Sequence, residues 1–492
     1  MKAFTSRCVS ATAIAAAALA MSACVADGDT QDVGTSQQQL QQLSDPLLEQ
    51  LQALPGVSVT ELAPRAGARQ FQLLVTQPVD HAHPSGATFQ QRVLIRSRGV
   101  GRPTTLDSTG YGLFGSTPRD NEISFLLAGN VIAVEHRYYE GSVPSPADPR
   151  YLTIRQAAAD HHRIVQLLRP IFTGAWISTG GSKGGMTSIY HRRYYPGDVD
   201  ATVAYVAPQS YTTDDPRYGL FLEHVGSAAC RQRILDTQRM FLDRRAELMP
   251  IFEAQAADDG FTYDQVGGLD FAFEHAVEEL RFAMWQYFGE ELCAMLPGAD
   301  APAQLAALYL DGISGPGLLA SDQALVDFGA YYYQAATQLG SYGPLSLDRH
   351  IRPRLEHPGT YRVERYSPLP ITQVDPLSVP EVQLWLAARG ERVMLVYGEN
   401  DPWTAGGFAL GNARDSFRYV VPGGNHGASI SDLPEAQRTQ ALGVLARWAG
   451  VQPPVAPTAP SAPSASSASS LQPADPADPA DWRIDRQRRL PL

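Results

Sequence analysis

The segment Gly180-Gly181-Ser182-Lys183-Gly184-Gly185 fits G-x-S-x-G, the pattern of a serine held on a sharp turn between a strand and a helix. An apolar run, Ala175 to Thr179, precedes it, and a helical pattern carrying Met186, Ile189 and Tyr190 follows. Glycines suit the flanking positions because so tight a turn leaves little room for Cβ atoms. A serine hydroxyl needs a base to become nucleophilic, and the base needs an acid to hold its tautomer. On such a scaffold the acid and the histidine follow the serine in the chain. Asp401 stands in Gly398-Glu399-Asn400-Asp401-Pro402-Trp403, just past the buried-strand pattern Val393 to Tyr397. His426 stands in Pro422-Gly423-Gly424-Asn425-His426-Gly427, just past Phe417 to Val421. Ser182, Asp401 and His426 are therefore the expected nucleophile, orienting acid and general base. Asp415 and Glu399 are weaker choices for the acid, since neither has the loop position.

Ser182 would sit at the N-terminus of its helix, where the backbone N–H of Lys183 points at a developing oxyanion. The second donor should come from the Gly-rich turn Thr109-Gly110-Tyr111-Gly112, with Tyr111 as the assigned residue. The Lys183 side chain is expected at solvent or beside a carboxylate. His136, at a strand end, could line the pocket; His161 and His162 read as structural. Asp80, His81 and His83 crowd one turn without a recognised ligand spacing, so no metal is expected.

The elements that must position these residues are legible from periodicity. Gln70 to Thr76 and Gln90 to Arg96 read as a hairpin. From residue 103 strands alternate with helices: strands at Thr104 to Ser108, Asn130 to Glu135, Ala175 to Thr179 and Ala201 to Val206, with a helix over Thr153 to Arg169. Such alternation implies a parallel sheet covered by helices on both faces. It stops between residues 210 and 375, which are mainly helical and aromatic-rich, as in Phe271 to Phe288 and Leu325 to Leu339. Strands return at Val393 to Tyr397 and Phe417 to Val421, and a helix over Pro434 to Trp448 closes the domain. The expected fold is an α/β-hydrolase fold, residues 65–209 and 376–450, with a helical cap, 210–375, inserted in it.

The ends of the chain differ in composition from this middle. Lys2 and Arg7 precede a mostly apolar run, Val9 to Ala20, too short to span a bilayer. It ends in Met21-Ser22-Ala23-Cys24, which resembles the lipobox of bacterial lipoproteins and makes Cys24 a lipidation candidate with membrane attachment. Ordinary signal-peptidase cleavage is the alternative; both imply export of the chain after residues 1–24. Residues 25–64 read as a tether and N-terminal extension. Residues 451–492, rich in Pro, Ala and Ser, have a composition that cannot bury a core. Two of the four cysteines lie in the leader, so Cys230 and Cys293 are left to form one disulfide in an exported protein. Of the 492 residues 44 % are hydrophobic and the formal charge is −12, which argues for a globular protein and against a nucleic-acid partner.

Several segments resemble the secreted tripeptidyl aminopeptidases, serine exopeptidases related to the prolyl carboxypeptidase and dipeptidyl peptidase group. They are Gly180-Gly181-Ser182-Lys183-Gly184-Gly185-Met186-Thr187, Glu135-His136-Arg137-Tyr138-Tyr139, Asp214-Asp215-Pro216-Arg217-Tyr218, Tyr333-Gln334-Ala335-Ala336-Thr337 and the Asp401 segment. Lys183 favours the tripeptidyl branch, because the prolyl carboxypeptidase group usually has an aromatic residue there. The resemblance implies release of short peptides, typically tripeptides, from free N-termini, often near proline, without a cofactor. Such an enzyme must hold the substrate's ammonium with a carboxylate. Glu135 is the assigned candidate, and Asp214, Asp215, Glu223 and Glu274 remain open. Other readings of the same scaffold are a prolyl-specific dipeptidyl peptidase or carboxypeptidase, an esterase or lipase, and a non-catalytic surface lipoprotein.

Overall fold

The nine strands of the sheet run in the chain as β1 (Val57–Arg65), β2 (Ala68–Pro78), β3 (Thr88–Ser97), β4 (Thr104–Ser108), β5 (Asn130–Val134), β6 (Trp176–Gly181), β7 (Ala201–Tyr205), β8 (Val393–Gly398) and β9 (Phe417–Val421). Their spatial order is β1-β2-β3-β5-β4-β6-β7-β8-β9. The first three and β5 pair antiparallel; from β5 to β9 every pair is parallel. This is a computed structural model, and it describes residues 46–453 apart from Thr360. The leader, Cys24, most of the tether and the tail after residue 453 lie outside the described residues.

Strands β4, β5, β7 and β8 are buried along their whole length, as strands covered on both faces must be. On one face Met394 and Val396 pack with Leu442, Leu445 and Trp448 of the helix Glu435–Ala449. On the other, Leu395 packs with Met186 and Ile189 of the helix Lys183–Tyr194 and with Val382 and Leu386 of the helix Ser378–Arg389. Leu106 and Ile132 meet Ile164 and Leu168 of the helix Ile154–Leu168. The expected α/β-hydrolase architecture is therefore the observed one.

One element differs from expectation. The stretch read as an N-terminal extension contains a short helix, Pro46–Gln52, and the edge strand β1. β1 is half exposed and carries Pro64, which only an edge strand tolerates.

Between β7 and β8 the chain builds helices, the longest of which is Leu269–Tyr287. They share their own core, with Phe241, Leu248, Phe252, Phe273, Val277 and Leu280 buried together. Cys230 and Cys293 are disulfide-bonded across a sequence separation of 63. A loop of that size is worth roughly 4 kcal/mol in the chain-entropy account. The bond ties the helix Ala228–Asp243 to the chain just beyond the long helix.

Candidate active site

Every residue expected to do chemistry lies beyond the carboxyl end of a parallel strand, where open α/β sheets place their sites. β6 runs straight into Ser182, and the helix begins at Lys183. Ser182 adopts φ 54° and ψ −124°, a conformation costly for a residue with a Cβ. The surroundings fix it. The Ser182 N–H donates to the Tyr205 carbonyl at 2.9 Å, and the Ser182 carbonyl accepts from the Met186 N–H at 3.0 Å. The glycines answer to close approach: a Cβ on Gly184 would lie 2.2 Å from the Ser108 carbonyl oxygen, and one on Gly180 would lie 2.5 Å from it.

His426 Nδ1 and Asp401 Oδ2 are 2.7 Å apart, and both side chains are fully buried. Asp401 also accepts from the Trp403 N–H at 3.1 Å, which fixes its plane. The Nε2 of His426 is buried without a hydrogen-bond partner, on the side of the ring opposite the acid. That is the nitrogen a serine proton must reach. The His426 loop is held by the cap: its N–H donates to the Gln286 carbonyl at 2.9 Å, and the Asn425 amide donates to the carbonyls of Tyr287 and Phe288.

The Gly-rich turn after β4 lies against the serine turn. Gly110 has φ +76°, and a Cβ there would stand 2.6 Å from the Gly184 nitrogen and 2.7 Å from the Lys183 carbonyl carbon. Tyr111 and Lys183 thus stand on adjoining turns and line one chamber with Ser182. The Lys183 side chain is a correction to the sequence reading. It is buried, not at solvent or beside a carboxylate: Nζ donates to the Gly110 carbonyl and lies 5.2 Å and 5.0 Å from the ring centres of Tyr111 and Tyr139. Burial pushes its ammonium well below the ordinary lysine value. The side chain pins the Gly110 turn to the serine turn.

Glu135 requires a second correction. It is fully buried away from the serine: Oε1 accepts from Arg92 at 2.6 and 3.0 Å and Oε2 from Ser142 at 2.6 Å. Both oxygens are occupied within the protein. The other acids considered are engaged likewise. Asp215 pairs with Arg217, Glu223 with Arg281 and His350, and Glu274 with Arg245. Asp214 does not line the chamber at Ser182.

That chamber is walled largely by aromatic side chains. Ser182, Lys183 and Tyr111 line it together with Tyr287, Tyr331 and Tyr342 of the cap, Trp403 from the turn after β8, and one carboxylate, Glu279. Glu279 is 5 % exposed, and its oxygens contact the Tyr342 hydroxyl at 3.0 and 2.9 Å. Burial pushes its carboxyl up to about 8. The sequence reading missed it. The available signal was the adjacent pair Glu278-Glu279 between apolar neighbours, Ala276 and Val277 before it and Leu280 after it.

The remaining candidates are structural. His136 donates to or accepts from nothing in the chamber; its Nδ1 is 2.8 Å from the Arg137 carbonyl oxygen. His81 pairs with Asp160, itself bound by Arg137, and His83 pairs with Asp80. Asp270, Glu356 and His357 gather ligand atoms within 4.8 Å, but Arg245 already pairs with both of those carboxylates.

A strained serine on a strand-to-helix turn, an acid–histidine pair from the ends of β8 and β9 and an aromatic-lined chamber define the class: the chain is a serine peptidase of the α/β-hydrolase fold. It belongs to the PS-10 peptidase S37 family, whose model matches residues 44–476. The prolyl tri/tetrapeptidyl aminopeptidase of Streptomyces mobaraensis is 38 % identical over 407 residues, covering 81 % of this chain and 84 % of that protein. The lysosomal Pro-X carboxypeptidase of Bos taurus is 36 % identical over 98 residues, 18 % of this chain and 20 % of that protein. Among solved structures, the proline iminopeptidase of Mycobacterium smegmatis aligns with a TM-score of 0.36 at 13 % identity, over 80 % of this chain and 98 % of that one.

Proposed function

We propose that the protein is an exopeptidase that removes tripeptides or tetrapeptides from the free N-termini of peptides through an acyl-enzyme on Ser182. His426 takes the Ser182 proton as the hydroxyl attacks the scissile carbonyl, then delivers it to the leaving amine. Asp401 holds the imidazole and stabilises its charged form. The backbone N–H groups of Lys183 and Tyr111 receive the oxyanion. Water then resolves the acyl-enzyme by the same route in reverse. The observation that carries this reading is the buried Asp401–His426 pair at 2.7 Å with its outer nitrogen unpartnered. The aminopeptidase name of the Streptomyces relative supports the direction of cleavage.

The test is product analysis by mass spectrometry on peptides with free and with acetylated N-termini. Three- or four-residue fragments from free ends only are expected, and the Ser182→Ala protein should lose at least about 10⁴-fold in kcat. Internal cleavage, or turnover surviving in Ser182→Ala, would sink the reading.

The leader supports export, with Cys24 as the lipidated residue of a cell-envelope protein. Cys24→Ser should then move the protein from the membrane fraction to the soluble fraction. Membrane association unaffected by this change would rule lipidation at Cys24 out.

A further inference from the structure

The long cap helix Leu269–Tyr287 carries three buried glutamates with different surroundings. Glu274 has Arg245 and the backbone N–H groups of Glu356 and His357. Glu278 does not line the chamber at Ser182. Glu279 does, and its side-chain hydrogen bonds run to a phenol, the Tyr342 hydroxyl. An isolated buried carboxylate costs several kcal/mol, so a fold that keeps one inside an open chamber is set to receive a positive charge. The walls agree with that sign. Tyrosine faces attract organic cations, and Tyr331, Tyr342 and Tyr361 stand around the chamber.

We infer that Glu279, aided by Tyr342, is the carboxylate that binds the substrate's terminal ammonium, and so fixes the N-terminus relative to Ser182. The inference rests on the aminopeptidase reading above and deepens it. Glu279 belongs to the helix whose C-terminal end holds the His426 loop through Gln286. One rigid element therefore positions both the substrate's end and the general base. The chemistry recognised is a primary alkylammonium, from a peptide N-terminus and not from a lysine side chain.

The proton balance follows. In the empty chamber the Glu279 carboxyl keeps its proton to about pH 8. The titratable groups around it are Tyr287, Tyr331, Tyr332, Tyr342, Tyr361 and Glu278, none of which supplies a cation. Lys183 also lines the chamber, but its Nζ donates to the Gly110 carbonyl between the Tyr111 and Tyr139 rings, and burial pushes it toward the neutral amine. A peptide that arrives as ammonium forms the ion pair while the carboxyl proton leaves to water. One that arrives as a neutral amine takes the carboxyl proton and forms the same pair. Binding at pH 7 therefore releases about one proton, and affinity peaks near the α-amino pKa of about 8.

Wild type and Glu279→Gln are compared on a tripeptide p-nitroanilide with a free N-terminus, on its N-acetyl form, and on an N-acetyl form with lysine as first residue. Fluorophosphonate labelling of Ser182 reports that the variant is folded. The wild-type preference for the free over the acetylated substrate should collapse toward unity in Glu279→Gln, through a loss of roughly 100-fold or more in kcat/KM on the free substrate. Glu279→Asp should restore part of it. The lysine-bearing acetyl substrate should be no better than the plain one; if it rivals the free substrate, the site reads side-chain amines and the inference fails. A preference kept in a labelled Glu279→Gln protein overturns the role of Glu279 alone. No preference in wild type overturns the exopeptidase reading as well. Should Glu279→Gln not fold, calorimetry of Ser182→Ala with the free tripeptide in two buffers decides: proton release of about one at pH 7 supports the inference, and none refutes it.

Discussion

Glu135 and Glu279 are both buried glutamates, and their surroundings are opposite. Glu135 follows β5 and meets Arg92, which also contacts Glu140, together with the Ser142 hydroxyl. Burial raises its pKa and Arg92 and Ser142 pull it down, while Glu140 shares the same guanidinium. All of its bonding is spent inside the protein. Glu279 has the Tyr342 hydroxyl and an open chamber. The first acid braces the sheet at β3 and β5. The second keeps its proton until a cation arrives, which is the pattern expected of a binding residue. Burial alone does not separate the two; the presence of a counter-ion does.

The comparison can be broken from the Glu135 side. Arg92→Leu removes the guanidinium and leaves two carboxyl groups without it. Losing one partner of a buried pair should cost about 3 kcal/mol, read as a lower midpoint in denaturant unfolding at pH 7. KM for a free-amino substrate should stay put. A loss under about 1 kcal/mol would mean that Glu135 is neutral and needs no cation, and the contrast with Glu279 would dissolve.

It can be sharpened from the Glu279 side through pH. The folded value, about 8, lies above the ordinary glutamate value of 4.5, so the native state keeps a proton that the unfolded chain has released. The stabilising contribution of the protonated carboxyl is complete below pH 4.5 and is lost as pH rises to 8. Linkage caps that loss at about 5 kcal/mol, and relaxation around the site should bring it nearer 2 kcal/mol. Glu279→Gln cannot lose a proton. It should match wild type near pH 4.5 and be more stable at pH 8, while binding substrate worse. Equal stability at both pH values would show that the chamber already contains a counter-charge.

The two acids also show what the sequence made legible. Ser182, Asp401 and His426 could be found because each follows a strand whose apolar pattern is short and local, and strand ends are where this fold places reacting groups. The disulfide was legible because removing the leader left one pair. Glu135 was one of five acids offered for the substrate's ammonium, and nothing local told it from the others, because its partners come from β3 and from the loop holding Ser142. Glu279 sits in the middle of a helix, and what distinguishes it is Tyr342, 63 residues further along the chain. No local pattern carries such a contact. Lys183 fails similarly: a lysine beside glycines reads as exposed, and only the packing of the Gly110 turn against the serine turn encloses it. β1 was passed over because an edge strand with one proline has a weak alternation.

The smallest expected effect tests the single contact that Glu279 does have. Tyr342→Phe removes a hydroxyl that favours the charged carboxylate and leaves the ring stacked on Phe282 and Tyr361. One hydrogen bond to a carboxylate is worth about 1–2 kcal/mol. The Glu279 carboxyl should then hold its proton to higher pH. At pH 7 the free-amino substrate should bind roughly 10-fold more weakly, with kcat little changed, since the phenol touches the anchor and not the reacting bond. Raising the pH should recover part of the loss in Tyr342→Phe, because the carboxyl surrenders its proton more readily there, whereas Glu279→Gln should show no such recovery. A pH-independent loss in both variants would assign Tyr342 to packing and leave Glu279 to act without it.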